Sequence, residues 1–522
     1  MKRTLSIIAI ALSTAGITIG QSEFDALKFI QPEINGTARY TSMAGAFGAL
    51  GGDPSAIKDN PAGLGIYRKS ELTATLGINT QETTTNWRDG NTTIEGFYRP
   101  GFNNLAFVMS MPVSSYSNSN LVHSNFSFSI NRLKDFNRNI RINGGSGSSS
   151  SLTDYLAYFS EGISGYDLYE ASGYNPYNNI YIPWMSAMAA NAGLITEVDT
   201  VNNIWESVLL SNETVSPYYT LREEGYLNEY ALSWSGNFNN RLFLGATLNF
   251  YDLDYRSETE YEEIFSGDDG YMSLINTFRS NGTGAGLKVG TIYAPLDNLR
   301  LGLSLQTPII FTVKDLQYAD LKYGYKTDNG FINDKEMTPE GDNLYKLQGP
   351  FTYNISGSYI FGNKGVIGIE YVTSYNSGSI FMNKNNSTSD HGYENDSIKA
   401  LFNTQHIFKI GGEYKLTDNF SLRAGYAYAE PATSYKLGKE FNPNTIRTDV
   451  EYFVPSGNTQ YLTAGLGYRE SKWYIDLAVI NKVYNEKFYA YNSRKLAPNR
   501  ANVAGMVTTS NINVIATIGL RF

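Results

Sequence analysis

The chain ends in Asn511-Ile-Asn-Val-Ile-Ala-Thr-Ile-Gly-Leu-Arg-Phe522. In an extended strand Ile512, Val514, Ala516, Ile518, Leu520 and Phe522 share one face, and Asn511, Asn513, Thr517 and Gly519 lie largely on the other. A strand with lipid on one side and water on the other needs this alternation, here closed by a terminal aromatic. The same pattern recurs upstream. Leu242, Leu244, Ala246, Leu248 and Phe250 oppose Gly245, Thr247 and Asn249, and Trp473, Ile475, Leu477 and Val479 oppose Tyr474, Asp476 and Ala478. Leu299, Leu301, Leu303 and Leu305 oppose Arg300, Gly302, Ser304 and Gln306. A mid-strand Arg is costly toward lipid and harmless in a wet lumen.

About fourteen such segments follow one another, an even number as expected of a bacterial transmembrane barrel. Their spans are roughly 70–85, 102–113, 121–133, 226–238, 241–256, 282–294, 299–313, 351–361, 365–382, 404–416, 420–430, 459–469, 473–486 and 508–522. Connections after even-numbered segments are short and polar, such as Asn239-Asn240, and those after odd-numbered segments are long. Short periplasmic turns and long extracellular loops give this rhythm, so both ends of the barrel belong on the periplasmic side. The expected fold is all-β: a transmembrane antiparallel β-barrel spanning 70–522 in the bacterial outer membrane, amid lipid and lipopolysaccharide.

Composition agrees. Among 522 residues there are 49 Gly, 40 Tyr and 27 Phe, no Cys and 3 His, with a net charge of −9. No Cys means no disulfide framework, thiolate metal site or cysteine nucleophile. The acidic balance argues against nucleic acid as a partner, which needs a basic face. Mean hydropathy is −0.30 and no later segment offers a long apolar run, which excludes a helical membrane protein. At the N-terminus, Lys2 and Arg3, the apolar Leu5 to Ala15, and Thr18 and Gly20 before Gln21 form a secretory signal peptide over residues 1–20.

Residues 21–69 do not alternate. They contain Tyr40-Thr-Ser-Met-Ala-Gly-Ala-Phe-Gly-Ala-Leu-Gly-Gly-Asp53-Pro54 and then Asn60-Pro61-Ala62-Gly63-Leu64. The glycines lack the preceding strand and the Gly-Lys-Ser/Thr ending of a phosphate loop. Small residues allow close backbone packing, and inside a barrel such a segment is a plug. Phe47, Leu50, Ile57 and Leu64 are its candidate ligand contacts. The stretch Gln21 to Thr37 carries no convincing docking motif for an energy-coupling partner.

Met43-Ala-Gly-Ala-Phe47, Asp53-Pro-Ser-Ala56 and Asn60-Pro-Ala-Gly-Leu64, placed just before the first strand, resemble the N-terminal hatch of the FadL/TodX outer-membrane transporters. The resemblance extends to the whole chain as signal peptide, hatch, about fourteen strands and terminal Phe. It implies passive uptake of hydrophobic small molecules, such as long-chain fatty acids or aromatic hydrocarbons, without a cofactor. It carries Asn60, Pro61 and Ala62 over as the hatch motif. In that family the hatch blocks the lumen and ligand leaves sideways, through an opening that depends on an inward kink in the third strand. Here Leu121 to Leu133 contains no Gly or Pro to announce one. Family members are also labelled hemin receptors or serve protein secretion, so a heme-binding barrel and a non-transporting scaffold for secretion or surface attachment are the alternatives. No protein partner is identified.

The connection over 134–225 is unusually long for an extracellular loop. Gly144 to Ser151 reads as a linker, Leu152 to Phe159 as a helix, Pro183 as the start of another, and Trp205, Val208 and Leu209 as a third. Such apolar faces must be buried on each other, on the rim or on ligand. Trp184, Met185, Met188, Trp205, Phe265, Tyr271 and Phe278 are therefore the candidate capture surface. A transport pocket below should be apolar with few polar anchors. No catalytic residue is assigned: His406 shares the outward face of Phe408 and Ile410, His123 faces the lumen and His391 sits in a loop. No metal site is assigned either, because Asp252 with Asp254 and Asp268 with Asp269 lack the ligand number of a dedicated centre.

Overall fold

The structure is a computed structural model. It describes residues 22–522 except 32, 114–119, 211, 268–269, 328–329, 435, 437–445, 494–495, 497–499 and 501. The expected signal peptide and the Asp268-Asp269 pair lie outside the described residues.

Fourteen staves close a ring. They are β1 (Glu71–Asn86), β2 (Thr93–Pro112), β3 (Leu121–Asp135), β4 (Val215–Phe238), β5 (Leu242–Phe265), β6 (Tyr271–Leu296), β7 (Leu299–Gln306), β8 (Phe351–Phe361), β9 (Gly365–Tyr375), β10 (Thr404–Lys415), β11 (Phe420–Ala429), β12 (Thr459–Arg469), β13 (Trp473–Tyr489) and β14 (Gly505–Arg521). Each pairs antiparallel with its sequence neighbour, and β1 pairs with β14 from Glu71 opposite Arg521 to Asn86 opposite Met506. Closure gives every stave a partner on both sides over at least part of its length, so no stave is a free edge throughout.

Alternation decides which side chains face out. On β14 Met506, Ile512, Val514 and Ile518 are exposed while Val507, Thr509, Ile515 and Thr517 are buried; on β5 Leu244, Leu248 and Phe250 are exposed while Thr247 and Asn249 are buried. A band of exposed aliphatics over a polar interior is unfavourable in water and correct in a bilayer. At the short-turn end aromatics collect in pairs, Phe107 with Phe522, Phe420 with Tyr468 and Tyr468 with Trp473, as an interface girdle. Asn239 and Asn240 both take positive φ, 51° and 56°, which suits the tight turn joining β4 and β5.

All fourteen expected segments fall on staves. The differences lie at the upper ends: β2 starts at Thr93, β4 at Val215 and β6 at Tyr271, β5 runs to Phe265, and β9 stops at Tyr375, short of the expected 382, before a 3-10 turn and a separate strand Ile380–Asn383. Above the membrane the outer face no longer has to be apolar, so the alternation used to find strands fades while the ladder continues. The stave of β7 likewise resumes as Ile310–Thr327, still paired to β6.

The long loop forms a cap. Helices Leu152–Ser160 and Trp184–Asn191 occur as expected, but Trp205 lies in a strand, Ile204–Ser207, paired with Ile195–Asp199, where a helix was expected. The intervening chain turns at Asn203 with φ 52°, and a hairpin satisfies the backbone over so short a stretch. Helix 152–160 is tied to the barrel by Glu263 of β5, whose carboxylate accepts from Leu152 N at 2.8 Å and from the Tyr261 hydroxyl at 2.7 Å. Burial pushes that carboxyl up to about 7.

Candidate functional site

Residues 22–67 lie inside the barrel. Helix Glu23–Ile30 starts at a capping box made by Ser22 and Asp25. Helix Ala38–Ser42 is capped by Thr37, and two 3-10 turns, Pro54–Lys58 and Pro61–Ile66, by Asp53 and Asn60. From Ala38 onward the chain follows the inner wall stave by stave. Ala38 N donates to Thr517 Oγ1 of β14 at 2.7 Å, and Thr463 Oγ1 of β12 donates to the Ser42 carbonyl at 2.9 Å. Gly48 N donates to Glu370 Oε2 of β9 at 2.7 Å, and Arg300 of β7 donates to the Leu50 carbonyl at 2.8 Å. Asn60 Nδ2 reaches the Thr291 carbonyl of β6 at 3.1 Å, and Asn125 of β3 donates to the Leu64 and Tyr67 carbonyls at 2.8 and 3.0 Å.

Glycines on the wall let the two backbones meet. A Cβ on Gly425 would stand 2.6 Å from the Met43 carbonyl carbon, and one on Gly302 would stand 2.8 Å from the Gly48 oxygen. Gly245, Gly368 and Gly411 face the backbone of the same segment in the same way, while Gly290 and Gly465 make room for the side chains of Asn60 and Ser42. Buried ion pairs add to the seat. Arg39 and Arg423 both hold Glu413, at 2.9 and 2.6 Å; Arg423 also meets Asp476, and Lys409 joins Glu370 at 2.7 Å. Removing one partner of such a pair strands a buried charge, so these contacts fix position more than they add net stability.

Asn60 occupies the junction of the segment. Its side chain caps Ala62 N at 3.0 Å and donates to the Gly48 carbonyl at 2.8 Å as well as to Thr291. Asn60→Ala is expected to weaken the seating by roughly 2–4 kcal/mol, the loss of one cap and two buried hydrogen bonds. Amide exchange across residues 48–66 should accelerate while that of the wall strands stays unchanged. Pro61 and Ala62 lie against β5, beside Gly245.

Among the described residues at least three spaces open in the lumen around helix 23–30 and above the chain that follows the wall. The largest, about 550 Å³, surrounds helix 23–30 and reaches loop residues Tyr393, Pro431 and Arg447. A second, about 160 Å³, lies deeper beside Phe29, Ile34, Tyr40 and Asp59. A third, about 60 Å³, runs to the wall beside Asn79, Phe97, Arg99, Asn137 and Asn513. Glu33 borders all three. Its carboxylate is ion-paired with Lys482 of β13, and its backbone N–H donates to the Leu133 carbonyl of β3 at 3.0 Å.

The third space coincides with a defect in the wall. β2 pairs with β3 only from Asn104 opposite Asn131 to Pro112 opposite His123. Above Asn104, among the described residues, β2 pairs with β1 alone, after a register shift at Thr75/Leu76 that leaves Asn103 unpaired. β3 carries its own bulge at Leu133, between Arg132 and Lys134. Leu133 and Phe136 there turn into the lumen and join Phe29, Leu227 and Tyr255. Side chains bridge the notch: Asn79 donates to Asp135 at 3.2 Å, Arg99 to Asn137, and Arg141 meets Glu95 at 3.3 Å.

The walls of the large cavity are more polar than the expected apolar pocket. Ten carboxylates and five cations line it, with Phe24, Leu27, Tyr219, Tyr255, Phe278 and Tyr452 among them. Four of the cations are ion-paired. Lys28 meets Glu223 at 2.5 Å and Arg447 meets Asp25 at 3.0 Å, while Arg138 holds Glu486 and Lys482 holds Glu33. Lys134 donates to the Lys28 carbonyl at 2.9 Å. Burial pushes the Glu23 carboxyl up to about 7, with Glu394 and Asp25 adding to the shift. Burial likewise takes Glu451 to about 7, with Asp449 adding.

The candidate residues fall in different places. Phe47 and Leu50 are buried with Tyr40, Met43 and Val366, and Ile57 and Leu64 with Tyr67 and Val108, so these four pack the segment onto the wall and none borders the three spaces. Trp184, Met185, Met188, Trp205 and Phe265 are buried together in the core of the cap. Tyr271 is half-buried at the head of β6. Phe278 borders the large cavity beneath the Arg447 guanidinium, 4.3 Å from its ring centre. Residues 22–34 supply most of the segment's cavity surface. The sequence reading missed this role, although Phe24, Leu27, Phe29 and Ile30 form a legible short apolar run.

Known proteins share this architecture. A structure of a Pseudomonas aeruginosa FadL homologue superposes with a TM-score of 0.52 at 12% identity, over 95% of this chain and 99% of that one. The Pseudomonas putida toluene transporter TodX superposes with a TM-score of 0.51 at 14% identity, over 94% and 99%. No curated protein sequence matches the chain. The profile of the outer membrane protein transport protein family (OMPP1/FadL/TodX) matches residues 257–522, about half the chain. Sequence profile, closed fourteen-stave barrel and outward apolar band agree, and the chain belongs to the OMPP1/FadL/TodX family of outer-membrane transport proteins.

Proposed function

We propose that the protein moves small hydrophobic compounds passively across the outer membrane, with residues 22–67 as the hatch. Cargo enters from the loop end into the 550 Å³ cavity and leaves sideways through the β2–β3 notch, without passing the hatch. One observation carries this reading: the cavity, the deeper pocket and the wall pocket meet at Glu33, while the chain below follows the wall around the lumen. An exit into the bilayer suits an apolar solute, which gains its transfer free energy there instead of having to enter water.

Among the cargo classes implied by the family, the cavity favours aromatic hydrocarbons over fatty acids. A fatty-acid carboxylate would enter a space where carboxylates outnumber cations and four of the five cations are already ion-paired. The hemin alternative has less support, since among the described residues no His borders the cavity. The test is uptake of radiolabelled toluene by cells whose own FadL-type proteins are deleted. Expression of this chain should raise the initial rate several-fold over empty vector. Equal rates, or co-purification with a secreted protein and no uptake, would replace the transport reading with the scaffold.

A further inference from the structure

We propose that the preferred cargo of the large cavity is a hydrophobic amine, a compound with an aromatic or aliphatic body and a cationic nitrogen. This rests on the cavity being the ligand chamber.

The wall has twice as many carboxylates as cations. An arriving anion would have to displace a carboxylate from its guanidinium or ammonium partner. An arriving cation has the opposite prospect. Glu23 and Glu451 border the cavity at 2% and 9% exposure, and each has one carboxylate oxygen, Oε1 and Oε2 respectively, without a hydrogen-bond partner among the described residues. Buried carboxylate oxygens left without a donor are costly, and an ammonium group supplies both the charge and the hydrogen bond. The residues next to these two, Phe24 and Tyr452, stack with ring centres 5.6 Å apart and border the same cavity. Aromatic faces beside carboxylates hold a cation and accept its apolar body at once.

The test uses three probes of one shape, 3-phenylpropylamine, 3-phenylpropionate and propylbenzene, titrated by calorimetry into the full chain in nanodiscs at pH 8. The amine should bind at least tenfold more tightly than the acid. Glu23→Gln and Glu451→Gln, checked for folding by heat-modifiable migration, should each cut that preference at least threefold. The wild-type preference should also shrink at pH 5.5, where Glu23 and Glu451 carry protons. Asp25 and Glu394 face the first, and Asp449 and Arg447 the second. An amine that binds no better than the acid in the wild type, or a preference that survives both substitutions and the lower pH, overturns the proposal. If propylbenzene still binds in that case, only the charge selection falls. If propylbenzene does not bind either, the chamber reading falls with it.

Discussion

Deleting residues 23–66 is expected to convert a closed barrel into a permanently open pore, with single-channel conductance in planar bilayers rising at least tenfold over the full chain. Strand ladders hold the wall together independently of the segment, from β1–β14 through every neighbouring pair. Between the staves at the short-turn end lies chain from residues 38–67, bonded to wall residues from Thr517 of β14 to Asn125 of β3. Removing it leaves Glu370, Lys409, Glu413, Arg423 and Asp476 lining an aqueous channel, and charged lumen walls conduct. The freed charges regain water, so the deletion should fold, as heat-modifiable migration would check. An unchanged conductance would mean that the staves or the cap close the barrel unaided.

The second large effect concerns the exit. Asn513→Trp is expected to lower uptake of the transported compound about tenfold while leaving its binding in the upper cavity within twofold. Asn513 borders the wall pocket, whose volume is about 60 Å³, and an indole placed there fills it. The substitution lies on the inner face of β14, within a ladder held by backbone bonds to β1 and β13, so folding should not depend on it. Separate assays of binding and uptake tell a blocked exit from a damaged chamber. Parallel losses in both, or no loss in either, would remove the notch from the route.

The fold was legible because lipid imposes a rule that sequence can display. Leu244, Leu248 and Phe250 had to face out, and Thr247 and Asn249 had to face in, so period two marked all fourteen staves. Legibility failed where the rule lapses. The upper halves of β4, β5 and β6 stand above the bilayer, where the alternation no longer has to be apolar against polar. The bulge at Leu133 needed no Gly or Pro, whereas the one at Asn103 follows Pro100-Gly101 in β2, a signal lying outside the third strand, where the kink was expected. Both arise from register against β1 and β4 and from the Glu33 bond to Leu133, and these are tertiary facts.

The candidate site was only partly legible, for a related reason. Apolar residues of the segment 22–67 and of the cap, such as Phe47, Leu64, Trp184 and Met188, read as ligand contacts in the sequence. A segment enclosed in a barrel, or folded over one, spends its largest apolar side chains on its own packing. The surfaces left for cargo then come from less emphatic residues, including Glu23, Phe24 and Glu33, whose placement depends on how the helix at 23–30 stands in the lumen.

The most direct test of the route is photolabelling in native outer membranes with a tritiated aryl-diazirine of toluene-like size, followed by mapping of the modified residues. The expected pattern is labelling of Phe24 and Tyr452 in the chamber and of Phe97 at the notch, with Asn513→Trp abolishing the label at Phe97 alone. Labelling of Arg68 and Asn240, which meet at the short-turn end below the hatch, with none at Phe97, would contradict sideways exit and show that cargo passes straight through the barrel.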